Sequence, residues 1–261
     1  MTQANGSLAD DLVLALEMAE AADALTMQHF RAVDLTVDTK PDLTPVTDAD
    51  RGVEQALREL VARRRPGDAV VGEEFGETGA GARRWIVDPV DGTKNFVRGI
   101  PVWATLIALE HDGTPVLGVV SAPALGRRWW AGRGLGAFAD GVPIRTSAVS
   151  RLEDAQLSYS SLDGWAEQGG VGPLLELGKR CWRTRAFGDF WSHVLVAEGA
   201  VDVGLDPIVS LWDLAAVQVI VEEAGGTFTD LGGVRTPDGG DAIATNGLLH
   251  QAALDIIGRA S

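Results

Sequence analysis

WIVDPVDGTKNF, residues 85–96, is an apolar strand that ends in one acid, Asp88, and reaches a second, Asp91, three positions later. Pro89 fixes the backbone between them and has no N–H to extend a ladder, while Gly92 allows a sharp turn that frees backbone N–H groups toward a ligand. Two carboxylates leaving a strand edge beside such a turn suit an anion held next to metal ions.

Working outward, a second acidic pair, Glu73 and Glu74, follows the apolar run AVVG, and Asp213 stands three residues after Ser210 at the start of a helical pattern. Taken singly, each has a plainer reading. Asp213 is the acidic member of a Ser-x-x-Asp capping box, Asp48 and Asp50 are helix caps, Glu73 and Glu74 are solvated charges, and Asp91-Gly92 is a turn. Taken together, they predict four acids converging on one cleft. Like charges about 5 Å apart repel by roughly 3 kcal/mol per pair at an effective dielectric near 20, so a gathered set stays ionised only with counter-cations. All-oxygen ligands select hard ions, Mg2+ or Mn2+.

The surrounding pattern is mixed α and β. Leu8, Leu12, Ala15, Ala19, Ala22, Thr26 and Phe30 predict an amphipathic helix over 8–30, capped by Ser7 and Asp10. After the Pro-punctuated, extended stretch KPDLTPV, Thr47 and Asp50 repeat the box before a second helix, and the two helices form one layer. Strands are predicted at 69–71, 85–87, 105–110 and 116–121, the last two joined by HDGTP, and turns at 132–136 and DGVP continue an antiparallel meander. The second half predicts helices over 188–198 and 213–224, the strands VDVGL and AIAT, and a final helix.

The chain has 261 residues, 46% hydrophobic and 23% charged, enough for a large core in two sub-domains that share a cleft. We set the boundary at 150, with residues 1–150 carrying the GEE and DPVDGT strings and 151–261 carrying the WD string. A net charge of -15, from 37 acidic and 22 basic residues, argues against nucleic-acid or anionic-membrane partners and for a small ligand. The single cysteine, Cys181, excludes an internal disulfide and Cys-rich metal sites and fits a reducing, cytoplasmic setting. MTQANGSLADD has no basic or apolar leader pattern, and no apolar run approaches the ~20 residues of a membrane span.

GEE (72–74), DPVDGT (88–93) and LWDLAA with EEAGG (211–226) resemble the inositol monophosphatase superfamily over essentially the whole chain. That resemblance implies an α/β (α+β) fold, the layered αβαβα sandwich of the inositol monophosphatase and fructose-1,6-bisphosphatase type, with two or three Mg2+ ions and a homodimer. Carried over by position, Glu73, Asp88 and the Val90 carbonyl hold a first metal, and Asp88, Asp91 and Asp213 hold a second. Asp48 and Thr93 match the pair that orients the attacking water, with Glu74 assisting, and the backbone of Gly92 and Thr93 holds phosphate oxygens. The implied reaction is direct displacement without a phosphoenzyme.

Within the superfamily, DPVDGTKNFVRGIPVWATLIALE is most similar to bacterial histidinol-phosphate phosphatases, through Lys94, Arg98 and the segment around Trp103. A substrate with an ammonium and an imidazole calls for extra acids, and Asp189 and Asp206 lie in the segments that contact substrate in this family. Phe190 and Trp191 replace small residues expected of an inositol pocket and offer an aromatic wall, or else belong to a helix core. Arg185 is assigned to the substrate or a dimer surface. An inositol-1-phosphate phosphatase and a regulatory, protein-binding relative are the alternatives. The chain lacks a D-x-D-x-[TV] string, a G-x-S-x-G elbow and clustered histidines, which sets aside other hydrolase chemistries.

Overall fold

The structure is a computed structural model that describes residues 7–33, 35–39 and 45–258, so residues 40–44 of the KPDLTPV stretch lie outside the described residues. The first half runs α1 (Leu8–His29), β1 (Val37–Thr39), β2 (Pro45–Thr47), α2 (Asp48–Arg64), β3 (Ala69–Gly72), β4 (Gly76–Thr78), β5 (Arg83–Asp91), α3 (Thr93–Val97), β6 (Ala104–His111), β7 (Thr114–Ala122), β8 (Arg127–Gly132), β9 (Gly136–Ala139) and β10 (Val142–Pro143). The second half runs β11 (Gln156–Tyr159), α4 (Leu162–Glu167), α5 (Val171–Arg180), β12 (Arg183–Arg185), α6 (Asp189–Ala197), β13 (Val203–Asp206), α7 (Leu211–Glu223), β14 (Thr227–Thr229), β15 (Ala242–Thr245) and α8 (His250–Ile257). Both N-terminal capping boxes form, at Ser7 with Asp10 and at Thr47 with Asp50.

Among these residues the strands make a β1–β2 ribbon, an eight-stranded sheet in the order β10-β9-β8-β7-β6-β5-β3-β4, and a five-stranded sheet in the order β12-β11-β13-β15-β14. The larger sheet is the expected antiparallel meander from β5 to β10, with β3 added parallel to β5. Alternation then sorts the core into layers. Trp85, Val87, Ile107, Leu109, Leu117 and Val119 pack on α1 and α2, whereas Ile86, Leu106, Ala108 and Val120 pack on α6 and α7. The far faces of α6 and α7 meet the smaller sheet through Phe228, Ala242 and Ala244, and that sheet's other face, with Leu157, Val203, Leu205 and Ile243, is covered by α4, α5 and α8. Helices, sheet, helices, sheet and helices thus form the αβαβα sandwich.

One close approach sets the depth of the central layer. A Cβ on Gly118 of β7 would lie 2.3 Å from the Ala216 carbonyl oxygen, so only glycine lets α7 sit this near the sheet. That contact fixes the N-terminus of α7, and with it Asp213, against the larger sheet. No helix among the described residues is long and apolar enough to cross a membrane.

Candidate active site

The site begins with an irregularity in β5. Its pairing with β6 runs down to Asp88 opposite Leu106 and resumes with Asp91 opposite Ala104, so three steps along β5 match two along β6. In a regular strand residues 88 and 91 would point to opposite faces. The extra residue of this bulge puts them back in phase, and Pro89 is tolerated there because the bulge needs no ladder N–H from it. Both acids consequently face the α6–α7 layer: Asp91 Oδ2 accepts the Phe190 N–H of α6 at 2.7 Å, and Asp88 brings a carboxylate oxygen within 4.8 Å of one on Asp213 of α7. The Asp88 carboxylate also accepts the Val90 N–H at 2.9 Å, and Thr105 ties down the bulge by donating to the Pro89 carbonyl at 2.8 Å.

Strand β3 delivers the next acid. It runs parallel to β5 with Gly72 beside Val87, so Glu73 follows at the same sheet edge as Asp88. Asp88, Asp91 and Asp213 each offer an oxygen, and those oxygens all lie within 4.8 Å of one another. Burial, then the charges of Glu73, Asp91, Asp213 and Asp50, push Asp88 well above the usual carboxylate range. Burial, then Asp189 and Asp213, does the same to Asp91 against the relief of the Phe190 N–H. Asp213 is raised by burial to about 7, although its carboxylate accepts the Ser210 N–H at 2.7 Å. Asp213 therefore serves as both capping-box acid and cluster member. Three oxygen donors this close, held in a setting that penalises their charge, fit a hard divalent cation.

The acid that meets Thr93 is Asp50, which corrects the expectation of Asp48. Asp48 opens α2 with its side chain exposed, whereas Asp50, at the third helical position, turns inward and is buried. One Asp50 oxygen accepts the Thr47 N–H at 2.8 Å and the other lies 3.3 Å from the Thr93 hydroxyl, which also reaches the Val90 carbonyl at 3.0 Å. Burial raises Asp50 above the usual range, opposed by its Thr47 hydrogen bonds. Gly92, at φ 84°, makes the left-handed turn into α3 just before Thr93.

The residues predicted to select substrate separate into two groups. Asp189 joins the site, since Asn95 Nδ2 donates to its Oδ2 at 3.2 Å, and burial with the charge of Asp206 raises it to about 6 against the opposing pull of Lys94. Asp206 is buried and its Oδ2 lies 2.6 Å from His193 Nε2. Phe190, by contrast, is core against Trp129 and forms no pocket wall, and Trp191 leans half-buried on Phe187. Trp103 is wholly buried against Phe30 and Phe96, in a small core cluster with Ala49 and Val90. Lys94 is exposed, and Arg185 is exposed on β12 with its guanidinium on the Thr184 carbonyl. Asp50, Asn95 and His193 were not predicted as site residues. His193 stands one helical turn beyond Asp189, a spacing that would have marked it as a neighbour.

Three comparisons relate the chain to known proteins. Residues 8–259 match the inositol monophosphatase family model. The chain is 60% identical to a histidinol-phosphatase of Mycobacterium tuberculosis, covering 94% of this chain and 96% of that one, and 55% identical to a histidinol-phosphatase of Streptomyces coelicolor over the same shares. The fold superposes on an inositol monophosphatase from Zymomonas mobilis with a TM-score of 0.86 at 34% identity, covering 97% of this chain and 99% of the other. Members of this family are metal-dependent. The chain belongs to the inositol monophosphatase family and is a phosphomonoester hydrolase.

Proposed function

We propose that the chain hydrolyses L-histidinol phosphate to L-histidinol and inorganic phosphate, a step of histidine biosynthesis, with two or three Mg2+ ions held by Glu73, Asp88, the Val90 carbonyl, Asp91 and Asp213. Mn2+ suits the same oxygen donors. The observation that carries the substrate is the second acid pair, Asp189 and Asp206, whose charges interact beside the first cluster. A leaving alcohol with an ammonium group finds a complementary charge there, whereas inositol brings only neutral hydroxyls. The two relatives named histidinol-phosphatase support the same choice.

Bound divalent ions would supply the charge that lets these carboxylates ionise together, acidify water and offset charge on the leaving oxygen. The chain's own groups do the positioning. The Thr93 hydroxyl can donate its hydrogen to Asp50, leaving its oxygen free to accept from an attacking water, and Asp50 is the acceptor at the end of that path. Glu74 assists in orienting water. The backbone N–H groups of Gly92 and Thr93, turned by the positive φ at Gly92, hold phosphate oxygens. Asp91 and Asp213 border the leaving alcohol, Asp189 and Asp206 receive its ammonium or imidazole, and Lys94 and Arg185 form the exposed rim.

The same reading divides the chain into sub-domains 1–150 and 151–261, supported by the end of the larger sheet at Pro143 and the start of the smaller at Gln156. It also takes the enzyme as a cytoplasmic homodimer. The test is kcat/KM for histidinol phosphate beside inositol 1-phosphate, each with Mg2+ and with chelator. A preference for inositol 1-phosphate overturns the substrate, and no metal-dependent turnover on either favours a protein-binding role.

A further inference from the structure

We infer that Glu54, on the second turn of α2, is a positioning residue for Glu73 and sets the affinity of the metal site at that end, an inference that rests on reading Glu73 as a metal ligand. Glu54 is fully buried, where a carboxylate without partners would be costly. Its carboxylate instead takes the backbone of the loop that follows Glu73: Oε2 accepts the Glu74 N–H at 2.7 Å and Oε1 accepts the Phe75 N–H at 3.2 Å. Two adjacent amides thus close on one side chain from a different element.

Arg58, one turn further along α2, completes the clamp. Its Nε donates to Glu54 Oε1 at 2.8 Å, Nη1 donates to Thr78 Oγ1 at 2.8 Å, Nη2 donates to the Gly76 carbonyl, and the guanidinium lies over the Phe75 ring. The hairpin of β3 and β4, which carries Glu73 at its turn, is therefore bound to α2 at residues 74–76 and 78. Gly72 supplies an independent sign that this seat is built for a carboxylate, because a Cβ there would lie 2.1 Å from Glu54 Oε1. The glycine of the GEE string leaves room for the clamp.

Asp50, Glu54 and Arg58 fall at i, i+4 and i+8, one stripe of α2. Asp50 meets Thr93 and Glu54 meets the Glu73 loop, so a single rigid helix spaces the proton acceptor from the ligand-bearing turn. Partners that orient ligands without touching the metal typically change its affinity by ~10–100-fold when lost. Glu54 acts on the Glu73 side alone, so its loss changes metal affinity more than substrate affinity.

The test uses the full-length enzyme and its Glu54→Gln variant. Gln keeps the shape but has one carboxamide oxygen for two amides and no charge for Arg58. Three quantities are read: amide exchange at Glu74 and Phe75 in metal-free protein, the Mg2+ concentration for half-maximal activity, and substrate KM at saturating Mg2+. Expected are exchange faster by about tenfold or more, a half-maximal Mg2+ concentration raised about tenfold, and KM within about threefold of the parent. Gly72→Ala, which keeps the charge of Glu54 but pushes its carboxylate off the two amides, gives the same split and serves if Glu54→Gln folds poorly. Unchanged exchange, or an unchanged Mg2+ requirement in both variants of a metal-dependent parent, overturns the inference alone. Equal losses in KM and Mg2+ response, as a merely structural residue would give, overturn it too. A parent indifferent to Mg2+ fails the metal reading itself, and the inference with it.

Discussion

Replacing Asp213 by Asn should make the metal-free protein less sensitive to pH, in a direction that ordinary surface carboxylates do not produce. Asp213 is raised to about 7 in the fold from a value of 3.8. Between those values the native state binds a proton that the unfolded chain releases, so stability falls as pH rises through the window. From pH 5 to pH 7 the ionised side chain costs the fold on the order of 2 kcal/mol more, at about 1.4 kcal/mol per pH unit and tapering near the folded value. For a chain of this size that is about 4 °C in Tm. Asn retains an oxygen for the Ser210 N–H and so preserves the helix cap. The assay is thermal unfolding of chelator-treated parent and Asp213→Asn at pH 5 and pH 7. The variant's stability relative to the parent should improve by about 4 °C between the two pH values. Parallel pH dependence in the two proteins would refute the claim that the cluster holds this acid against its charge.

Asp50→Asn should lower kcat by about 100-fold or more, because it removes the acceptor for the Thr93 proton, while Asp48→Asn, at an exposed helix start, should leave kcat within about twofold. Steady-state rates at saturating Mg2+ separate them. His193→Gln should raise KM for histidinol phosphate about tenfold with little change in kcat, since His193 orients Asp206 from 2.6 Å; an unchanged KM would remove Asp206 from substrate recognition. Mg2+ affinity should fall as pH drops below about 7, by up to about tenfold per pH unit for each proton the ion displaces, because the raised Asp213 must ionise to bind it. Calorimetric titrations at pH 6 and pH 8 check this, and pH-independent affinity would contradict it.

Much of this was legible where a pattern is local. The capping boxes at Ser7 and Thr47, the apolar strand that runs into Asp88, and the acids of DPVDGT all depend on neighbours within a few residues. The long helices and the meander lie within a few residues of their expected positions. The sequence pattern predicts no helix or strand between residues 151 and 187, where β11 and β12 are only four and three residues long, α4 is six and α5 is ten. Such short elements carry too few periods for a pattern to emerge.

The site errors have a different cause, since they turn on which side of a helix a residue takes. VTDAD offers two acids two positions apart, and only packing decides that Asp50 enters while Asp48 faces water. Phe190 was a fair candidate for a pocket wall by composition, but its backbone N–H faces Asp91 and its ring turns to Trp129 in the core. Glu54 left no motif at all. Its role arises from the approach of the β3–β4 turn to α2, eighteen or more residues away in sequence, and only the lack of a Cβ at Gly72 hints at it.

The central claim is that Asp88, Asp91 and Asp213, with Glu73 beside them, coexist by sharing divalent cations. Calorimetric Mg2+ binding to the parent and to Asp88→Asn, in proteins first freed of metal, tests it most directly. The parent should bind at least two ions, with protons released into the buffer as the raised carboxyls ionise, and the variant should bind fewer ions and far more weakly. Equal stoichiometry and affinity in the two proteins would contradict the account.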